Sequence, residues 1–152
     1  MTPLLRAVRL YFSAARLPEF LAPVLDLGLR LFLADVFFKS GLTKIKSWDS
    51  TLYLFSDVYR VPLLSPEVAA WLATSAELGL PVLLVLGLFG RFAAAGLFIL
   101  NGVAVISYYS ELSESGLSQH MYWAMLLAVL LVASRGAWSL DRWLETRLSE
   151  IA

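Results

Sequence analysis

The segment from Leu21 to Trp48 constrains the fold most, because it is long and mostly apolar yet contains four ionisable residues. A helix that crosses a bilayer needs about 20 residues, so this segment is long enough to span the membrane once. Its ionisable residues are Asp26, Arg30, Asp35 and Lys39. A charge at the bilayer centre costs on the order of 2.5–3.5 kcal/mol on insertion scales. We therefore expect each of these groups to have a partner.

The spacing of these residues predicts two structural ion pairs within one helix. Asp26 precedes Arg30 by four residues and Asp35 precedes Lys39 by four, which is the favourable order on a helix. At about 100° per residue the two pairs lie on nearly opposite faces. A single lipid-facing stripe therefore does not describe this helix. We expect protein to cover it on more than one side, or the helix to end near Lys39 with its amine reaching the headgroups.

The composition indicates an integral membrane protein of one domain. Of 152 residues, 59% are hydrophobic and only 16% are charged, which is more apolar surface than a small soluble domain can bury. The formal net charge is zero, which gives no electrostatic reason to expect nucleic acid as a partner. The sequence contains no cysteine, which excludes disulfides and thiolate metal sites.

The hydrophobic pattern predicts an all-α fold, a four-helix transmembrane bundle with short amphipathic helices at the interfaces. The four spans are expected at about 21–42, 66–89, 92–109 and 117–138, within a membrane domain covering 19–138. Residues 1–18 predict an interfacial helix, because their apolar and basic residues separate onto two faces. Residues 139–152 predict a second one. A third, on the outer face, is expected from the helical spacing of Trp48, Leu52, Phe55 and Tyr59.

The second and third spans each contain a polar residue near their middle. The second begins at Ser65-Pro66-Glu67, a typical helix start, and contains Glu77 four residues before Pro81. Because proline has no N–H, Pro81 leaves the carbonyl of Glu77 without its usual helical donor. This indicates either a polar pocket or a kinked helix in which a protonated Glu77 bonds to a neighbour. Asn101 in the third span predicts an interhelical hydrogen bond or a ligand contact.

Basic residues near the spans predict the orientation. Those on one side are Arg6, Arg9, Arg16, Arg91, Arg135, Arg142 and Arg147. The other side has Lys44, Lys46 and Arg60, with Lys39 if it reaches the headgroups. By the positive-inside rule we expect a multi-pass protein of the cell inner membrane with both termini cytoplasmic.

Several landmarks, taken in order over about residues 24 to 143, resemble the DoxX family of four-helix membrane proteins. They are Arg30, Phe38, Gly41-Leu42-Thr43-Lys44, Glu77-Leu78-Gly79, Leu86-Gly87-Leu88, Arg91 and Trp138-Ser139-Leu140-Asp141. Ala34 departs from the pattern, where that family has a glycine. The departure concerns how closely the first helix packs.

The resemblance implies a possible redox role, because the family includes the membrane subunit of a thiosulfate:quinone oxidoreductase. Other members are linked to oxidative-stress complexes. The segments Val61–Leu64 and Ala76–Pro81 also resemble DoxX proteins encoded beside enzymes that modify copper-binding peptides. This is an association of genes and not a mechanism.

Two functions follow as hypotheses. In the first, the chain is the membrane subunit of a quinone-linked oxidoreductase, with Glu77 and Arg30 as catalytic residues and Lys39 and Asn101 completing a quinone pocket. Glu77 relays protons, Arg30 polarises a quinone carbonyl, and a partner protein supplies the electrons. In the second, the intramembrane ion pairs are architectural, and the bundle anchors a protein partner or forms a homo-oligomer in the lipid bilayer.

Metal handling is a weaker third interpretation. It rests on His120 with Met121, Met125, Glu111 or Glu114. Thioether ligands suit Cu(I), but one histidine without cysteine makes a poor site. We therefore expect no metal centre.

Overall fold

The computed structural model describes residues 3–15, 21–133, 136 and 138–150, and every secondary-structure element within these ranges is a helix. The helices are α1 (Pro3–Ala15), α2 (Ala22–Lys46), α3 (Trp48–Tyr53), α4 (Pro66–Leu86), α5 (Gly90–Tyr108), α6 (Glu114–Ala133) and α7 (Leu140–Ser149). A π-helical turn, Leu54–Val58, continues α3. Arg16 and Arg135, which the sequence singles out, lie outside the described residues.

Three helices in the described part of the chain, α4, α5 and α6, are long and apolar enough to cross a membrane. The longest helix, α2, has 25 residues but is less uniformly apolar because of its four ionisable side chains. It is not among the three candidate spans. Four spans therefore remain a prediction, while three follow from length and composition.

The four long helices pack around one apolar core. Helix α2 contacts α4 and α6, and α5 packs against both α4 and α6. Because Ala93 and Ala94 are small and fully buried, α5 can approach its neighbours closely. The other buried core residues are Leu33, Phe37, Leu84, Leu97, Leu127 and Leu130.

The bundle has two ends with different contents. At the α3 end, the last turn of α2 meets α3, and the Thr51 hydroxyl donates to the Lys44 carbonyl at 2.9 Å. Phe55 of the π-helical turn packs there on Ala69 and Ala70 at the start of α4. Helix α7 and the turn between α4 and α5 form the α7 end. The polar contacts described below lie towards these two ends, those of Lys44 and Glu77 towards the α3 end and those of Arg30 and Asp141 at the α7 end.

The boundaries of α4 follow from local chemistry. The Ser65 side chain accepts from the backbone N–H of Val68 at 3.4 Å, as the sequence predicts for an N-cap. The helix ends at Leu86 and not at 89, because Gly87 adopts a left-handed conformation with φ of 63°. A Cβ at Gly87 would collide with Ser139 and lie 2.6 Å from Nη1 of Arg30. Only glycine fits this turn.

Helix α6 is displaced from the predicted span of 117–138. It begins at Glu114 and ends at Ala133, and Gly136 has a left-handed φ of 54°. The carbonyl of Trp138 accepts from Nη1 of Arg30 at 3.2 Å. Trp138 therefore contacts α2 at the α7 end, beyond the last residue of α6.

Asp141 joins α7 to the start of α5. Its carboxylate accepts from the backbone N–H groups of Phe89 at 2.9 Å and Gly90 at 3.0 Å. Its own N–H donates to the Gly87 carbonyl at 3.0 Å. These bonds satisfy donors that a helix N-terminus leaves free. They also give the closing Trp138-Ser139-Leu140-Asp141 motif a structural role.

The terminal helices present apolar residues on their exposed surfaces. In α1 these are Leu4, Leu5, Val8, Tyr11 and Phe12, and in α7 they are Trp143, Leu144 and Leu148. An apolar face of this kind is typical of a helix that lies in the membrane interface.

We predict that Asp141→Ala destabilises the protein by about 0.5–2 kcal/mol, because two donors at the start of α5 lose their acceptor. Thermal unfolding in detergent measures the change. Asp57→Ala removes an exposed carboxylate of the π-helical turn and should leave the midpoint unchanged. Equal midpoints for the two variants would contradict the capping role.

Candidate functional site

An ion pair between α2 and α4 forms the centre of the candidate site. The Lys44 ammonium lies 2.8 Å from Oε1 and 2.7 Å from Oε2 of Glu77. The Lys44 and Glu77 side chains are 18% and 11% exposed, so the pair is largely buried. Since water screens a buried pair poorly, the attraction between these two charges is stronger than in a surface salt bridge, and the loss of their hydration offsets part of it.

Ser40 completes this polar cluster. Its hydroxyl donates to Oε1 of Glu77 at 3.1 Å and accepts from the Lys44 ammonium at 3.0 Å. Ser40 and Lys44 are one helical turn apart on α2, so both reach the same carboxylate. The carboxylate of Glu77 is therefore held by two groups of one neighbouring helix.

Gly41 allows the two helices to approach closely enough for this contact. A Cβ at Gly41 would lie 2.8 Å from Cδ2 of Leu78 and 3.1 Å from Cβ of Glu77. The backbone of α2 therefore lies directly against the side chains of α4 at this level. The glycine sits between Ser40 and Lys44 in sequence, which ties the close approach to the ion pair.

A second polar pair joins α5 to α6. The Asn101 amide nitrogen donates to the His120 carbonyl at 3.0 Å, and Nδ1 of His120 lies 2.7 Å from Oδ1 of Asn101. Because Oδ1 can only accept, Nδ1 donates, and a neutral ring then has an acceptor at Nε2. The His120 ring also packs edge-to-face on Trp123, with centroids 4.9 Å apart. Asn101 thus makes the interhelical hydrogen bond that the sequence predicts.

Both polar pairs line a single cavity of about 290 Å³. It lies among α2, α4, α5 and α6 and extends towards the α3 end. Aromatic rings form much of its remaining wall, namely Phe37, Phe55, Tyr59, Tyr108 and Trp123. The cavity therefore combines an ion pair, an imidazole and flat apolar surfaces, which together suit a planar, partly polar ligand.

Tyr59 lies outside the predicted spans, on the segment between the π-helical turn and α4. Burial raises the pKa of its phenol, and the nearby Tyr108 phenol and Glu77 carboxylate raise it further. The phenol is therefore protonated at neutral pH and able to donate a hydrogen bond. The adjacent backbone N–H of Arg60 donates to the Ser107 carbonyl at 2.9 Å, which holds this segment against α5.

The structure brings only two of the four predicted pocket residues together. Glu77 and Asn101 line the 290 Å³ cavity, whereas Arg30 lines a separate cleft of about 800 Å³ at the α7 end. Arg30 is almost fully buried, pairs with Asp26 and bonds to the Trp138 carbonyl. Its contacts within the chain therefore connect α2 to the segment before α7.

Lys39 also lies away from the cavity. It pairs with Asp35 at 2.8 Å, and the two side chains are 71% and 58% exposed. Asp26–Arg30 and Asp35–Lys39 are thus both formed, one buried and one on the outer surface of α2. Of these four residues, only Arg30 lines the cleft at the α7 end, and none lines the 290 Å³ cavity.

The residues of the metal hypothesis are dispersed. Met121 and Met125 are more than half exposed on α6, and Glu111 and Glu114 are exposed at the α3 end. Among the described residues, no three His, Asp or Glu side chains cluster in a way that could hold a metal ion.

Comparison with known proteins gives one family. A family model described as DoxX matches residues 25–110, more than half of the chain. The chain belongs to the DoxX family. An uncharacterised protein of Haemophilus influenzae (strain ATCC 51907 / DSM 11121 / KW20 / Rd) is 33% identical over 121 residues, which cover 74% of this DoxX protein and 78% of that one. No solved structure matches the chain.

The landmarks by which the sequence resembles the DoxX family occupy the two polar ends of the bundle. Gly41 and Lys44 belong to one motif and meet Glu77 of the next, which places both motifs at the cavity. Gly87 and Asp141 come from two further motifs and meet at the α7 end. Separate motifs along the chain are therefore in contact in the folded DoxX protein.

Sequence reasoning missed the Lys44–Glu77 pair and the part that His120 plays. Lys44 was assigned to the outer side of the membrane with Lys46, because the first span was expected to end at 42. The helix in fact continues to Lys46. The sequence feature that indicates this pair is Gly41, about one turn before Lys44. A glycine there lets a second helix approach closely enough for the lysine to reach a carboxylate on it.

We predict that Gly41→Ala destabilises the DoxX protein by about 1–3 kcal/mol, because the added Cβ must displace Leu78. The unfolding midpoint in detergent checks this. Gly102→Ala on α5 is the matched control, since a Cβ there meets nothing within 4 Å. The close-approach argument fails if both variants are equally stable.

A further prediction concerns the buried pair. Lys44→Met leaves the Glu77 carboxylate without its cation and should cost about 3–5 kcal/mol in stability. The double variant Lys44→Met/Glu77→Gln should recover more than half of the loss, because the uncompensated charge is gone. Denaturation of each variant measures both effects. Lys46→Met, an exposed lysine two residues along, should have the stability of the wild type.

Proposed function

We propose that this protein binds the head group of a membrane quinone in the 290 Å³ cavity, as the membrane subunit of a quinone-linked oxidoreductase. The observation that supports this most is that one cavity among apolar helices brings together Lys44–Glu77, Asn101–His120 and several aromatic rings. Ionisable groups at membrane depth mark a functional site by default. The DoxX family resemblance, through its quinone-reducing members, points in the same direction.

The cavity fits the head group by size and by chemistry. Small-molecule sites occupy about 300–1,000 Å³, and this cavity of about 290 Å³ lies just below the lower limit of that range, which suits a head group alone. A quinone ring is planar, with apolar faces and two carbonyl oxygens at opposite edges. In our proposal the rings of Phe37 and Trp123, which pack edge-to-face with their centroids 6.1 Å apart, contact one of its faces. Polar groups at both ends of the cavity bond its oxygens. The isoprenoid tail extends between helices into the lipid.

Reduction of a quinone to a quinol takes two electrons and two protons. We assign proton exchange to the Lys44–Glu77 pair, which contains a proton donor and a proton acceptor in direct contact. The pair passes the two protons to the quinone one after the other, and water at the α3 end reprotonates it after each transfer. The Tyr59 phenol donates a hydrogen bond to one quinone oxygen, and Nε2 of His120 accepts one from the quinol. Electrons come from a redox partner protein at the membrane surface. Lys44 and His120 thus replace Arg30 and Lys39 in the proposed site.

We also propose that α2 is a fourth span and that both termini face the cytoplasm of a bacterial inner membrane. Support for the span comes from α2 itself, because Arg30 and Lys44 are both paired inside the bundle and do not face lipid. Support for the orientation is the positive-inside rule. Since Lys44 is bonded to Glu77, only Lys46 and Arg60 remain as basic groups at the α3 end, which increases the asymmetry.

We predict that quinone co-purifies with the wild-type protein in stoichiometric amount and is lost in Ala104→Phe. Ala104 lines the cavity, so a phenyl group there fills the space without changing a polar group. Chromatography of solvent extracts of the purified protein measures the quinone. Ile99→Phe on the exposed face of the same helix is the matched control and should retain it.

Glu77→Gln separates binding from proton exchange. It retains the shape of the side chain, so it should bind quinone but reduce it more slowly when the partner supplies electrons. If the wild type contains no more quinone than an unrelated four-span protein, or if Ala104→Phe retains it, the redox proposal is wrong. The anchoring function would then be the one that remains.

A further inference from the structure

The outer face of α2 contains an ion pair that faces away from the bundle. Asp35 and Lys39 contact each other at 2.8 Å, but both side chains are more than half exposed. Asp35 also lines a shallow groove of about 340 Å³ with Pro81 and Val82 of α4. These two residues lie within the length of α4, which is a candidate membrane span. The pair therefore lies at the depth of the hydrocarbon region.

Lipid is a poor neighbour for this pair. Ionisable residues inside a membrane almost always face the interior of a bundle or a water-filled cavity, because hydrocarbon cannot replace their hydration. Their mutual attraction offsets only part of the desolvation cost. Another protein surface with polar groups at the same depth would satisfy them.

The exposed residues on this side of α2 also have the spacing of a helix-packing seam. They alternate four and three residues apart over three turns on either side of Asp35, a spacing typical of helices that pack side by side. The seam consists of Val24, Gly28, Leu31, Asp35, Phe38, Leu42 and Ile45, all of them exposed. The residues that face the bundle, such as Leu33 and Phe37, lie on a different side of the helix. The seam is therefore free to contact another chain.

We propose that a second copy of this chain covers the seam, forming a two-fold dimer in which Asp35 of each copy faces Lys39 of the other. The partner must supply a cation beside Asp35 and an anion beside Lys39 at the same depth. A second copy inserted in the same orientation repeats each residue at its own depth. Because the Lys39 ammonium reaches the Asp35 carboxylate at 2.8 Å, all four charged groups then lie at one level around the two-fold axis. The four charges then alternate in sign. The groove beside Asp35 receives apolar side chains of the other copy. This dimer does not depend on quinone binding.

A charge-swap experiment tests the contact between copies. The Asp35→Lys variant has two cations at this turn of α2, and the Lys39→Asp variant has two anions. Like charges of the two copies then repel each other, so each variant alone should form dimers about ten-fold less than the wild type. When the two variants are co-expressed with different tags, opposite charges face each other again. We expect mixed dimers in native membranes at close to the wild-type level. Recovery in the mixture cannot arise from the pair within one chain, because neither chain regains it.

Cysteine cross-linking locates the contact independently of these charges. The chain has no cysteine, so single substitutions can be made without further changes. Under mild oxidation in membranes, Leu31→Cys should form disulfide-linked dimers about ten-fold more than Ile99→Cys, which is exposed on α5. Equal cross-linking at the two positions would overturn the proposal. Mixed dimers no more frequent than those of the single variants would also overturn it and would indicate that a different membrane protein covers this face.

Discussion

The rest of the structure depends on the requirement that an ionisable group at membrane depth be paired. Three ion pairs involve α2, and each is satisfied in a different way. Asp26–Arg30 is buried within the chain and also bonded to the Trp138 carbonyl. Lys44 crosses to Glu77 on α4, which fixes the distance and register between these two helices. Asp35–Lys39 alone faces outward. The arrangement of α2 against its neighbours follows from where these pairs must lie.

The polar side chains at the two ends of the bundle make different kinds of contact. At the α7 end, Arg30 and Asp141 bond mainly to backbone groups, so they hold the turns of α4, α5 and α7 together. Beside the cavity near the α3 end, the Ser40, Lys44 and Glu77 side chains bond to one another, and the Asn101 side chain bonds to both the ring and the carbonyl of His120. A site that exchanges protons needs side chains that can change protonation and reach a ligand. Glu77, Lys44 and His120 line the cavity, whereas the Asp141 carboxylate at the α7 end is occupied by two backbone N–H groups. This is why we assign ligand binding to the α3 end.

The sequence was sufficient to predict contacts between residues of the same helix. The ion pairs within α2 could be predicted, because residues four apart share a face of one helix. The N-cap at Ser65 could be predicted for the same local reason. Lys44–Glu77 could not, because the partners are 33 residues apart and their contact depends on the close approach at Gly41. The separation of Arg30 from Glu77 could not be predicted either. Residue spacing along α2 does not show which turn of α4 lies beside Arg30.

Glu77 shows why the polar requirements of α4 occur at one depth. Pro81 removes the donor that the Glu77 carbonyl would normally have, so the backbone and the side chain of this residue both need partners. Membrane helices tolerate such a break only where neighbouring protein or water can bond the freed group. The ion pair with Lys44 and the cavity beside it lie at this same level, so the polar requirements of α4 fall in one protected place. Because the polar groups of α4 lie at this one level, the remainder of the helix can pack through apolar contacts. The same polar groups line the cavity, and no charge of α4 at this level faces lipid.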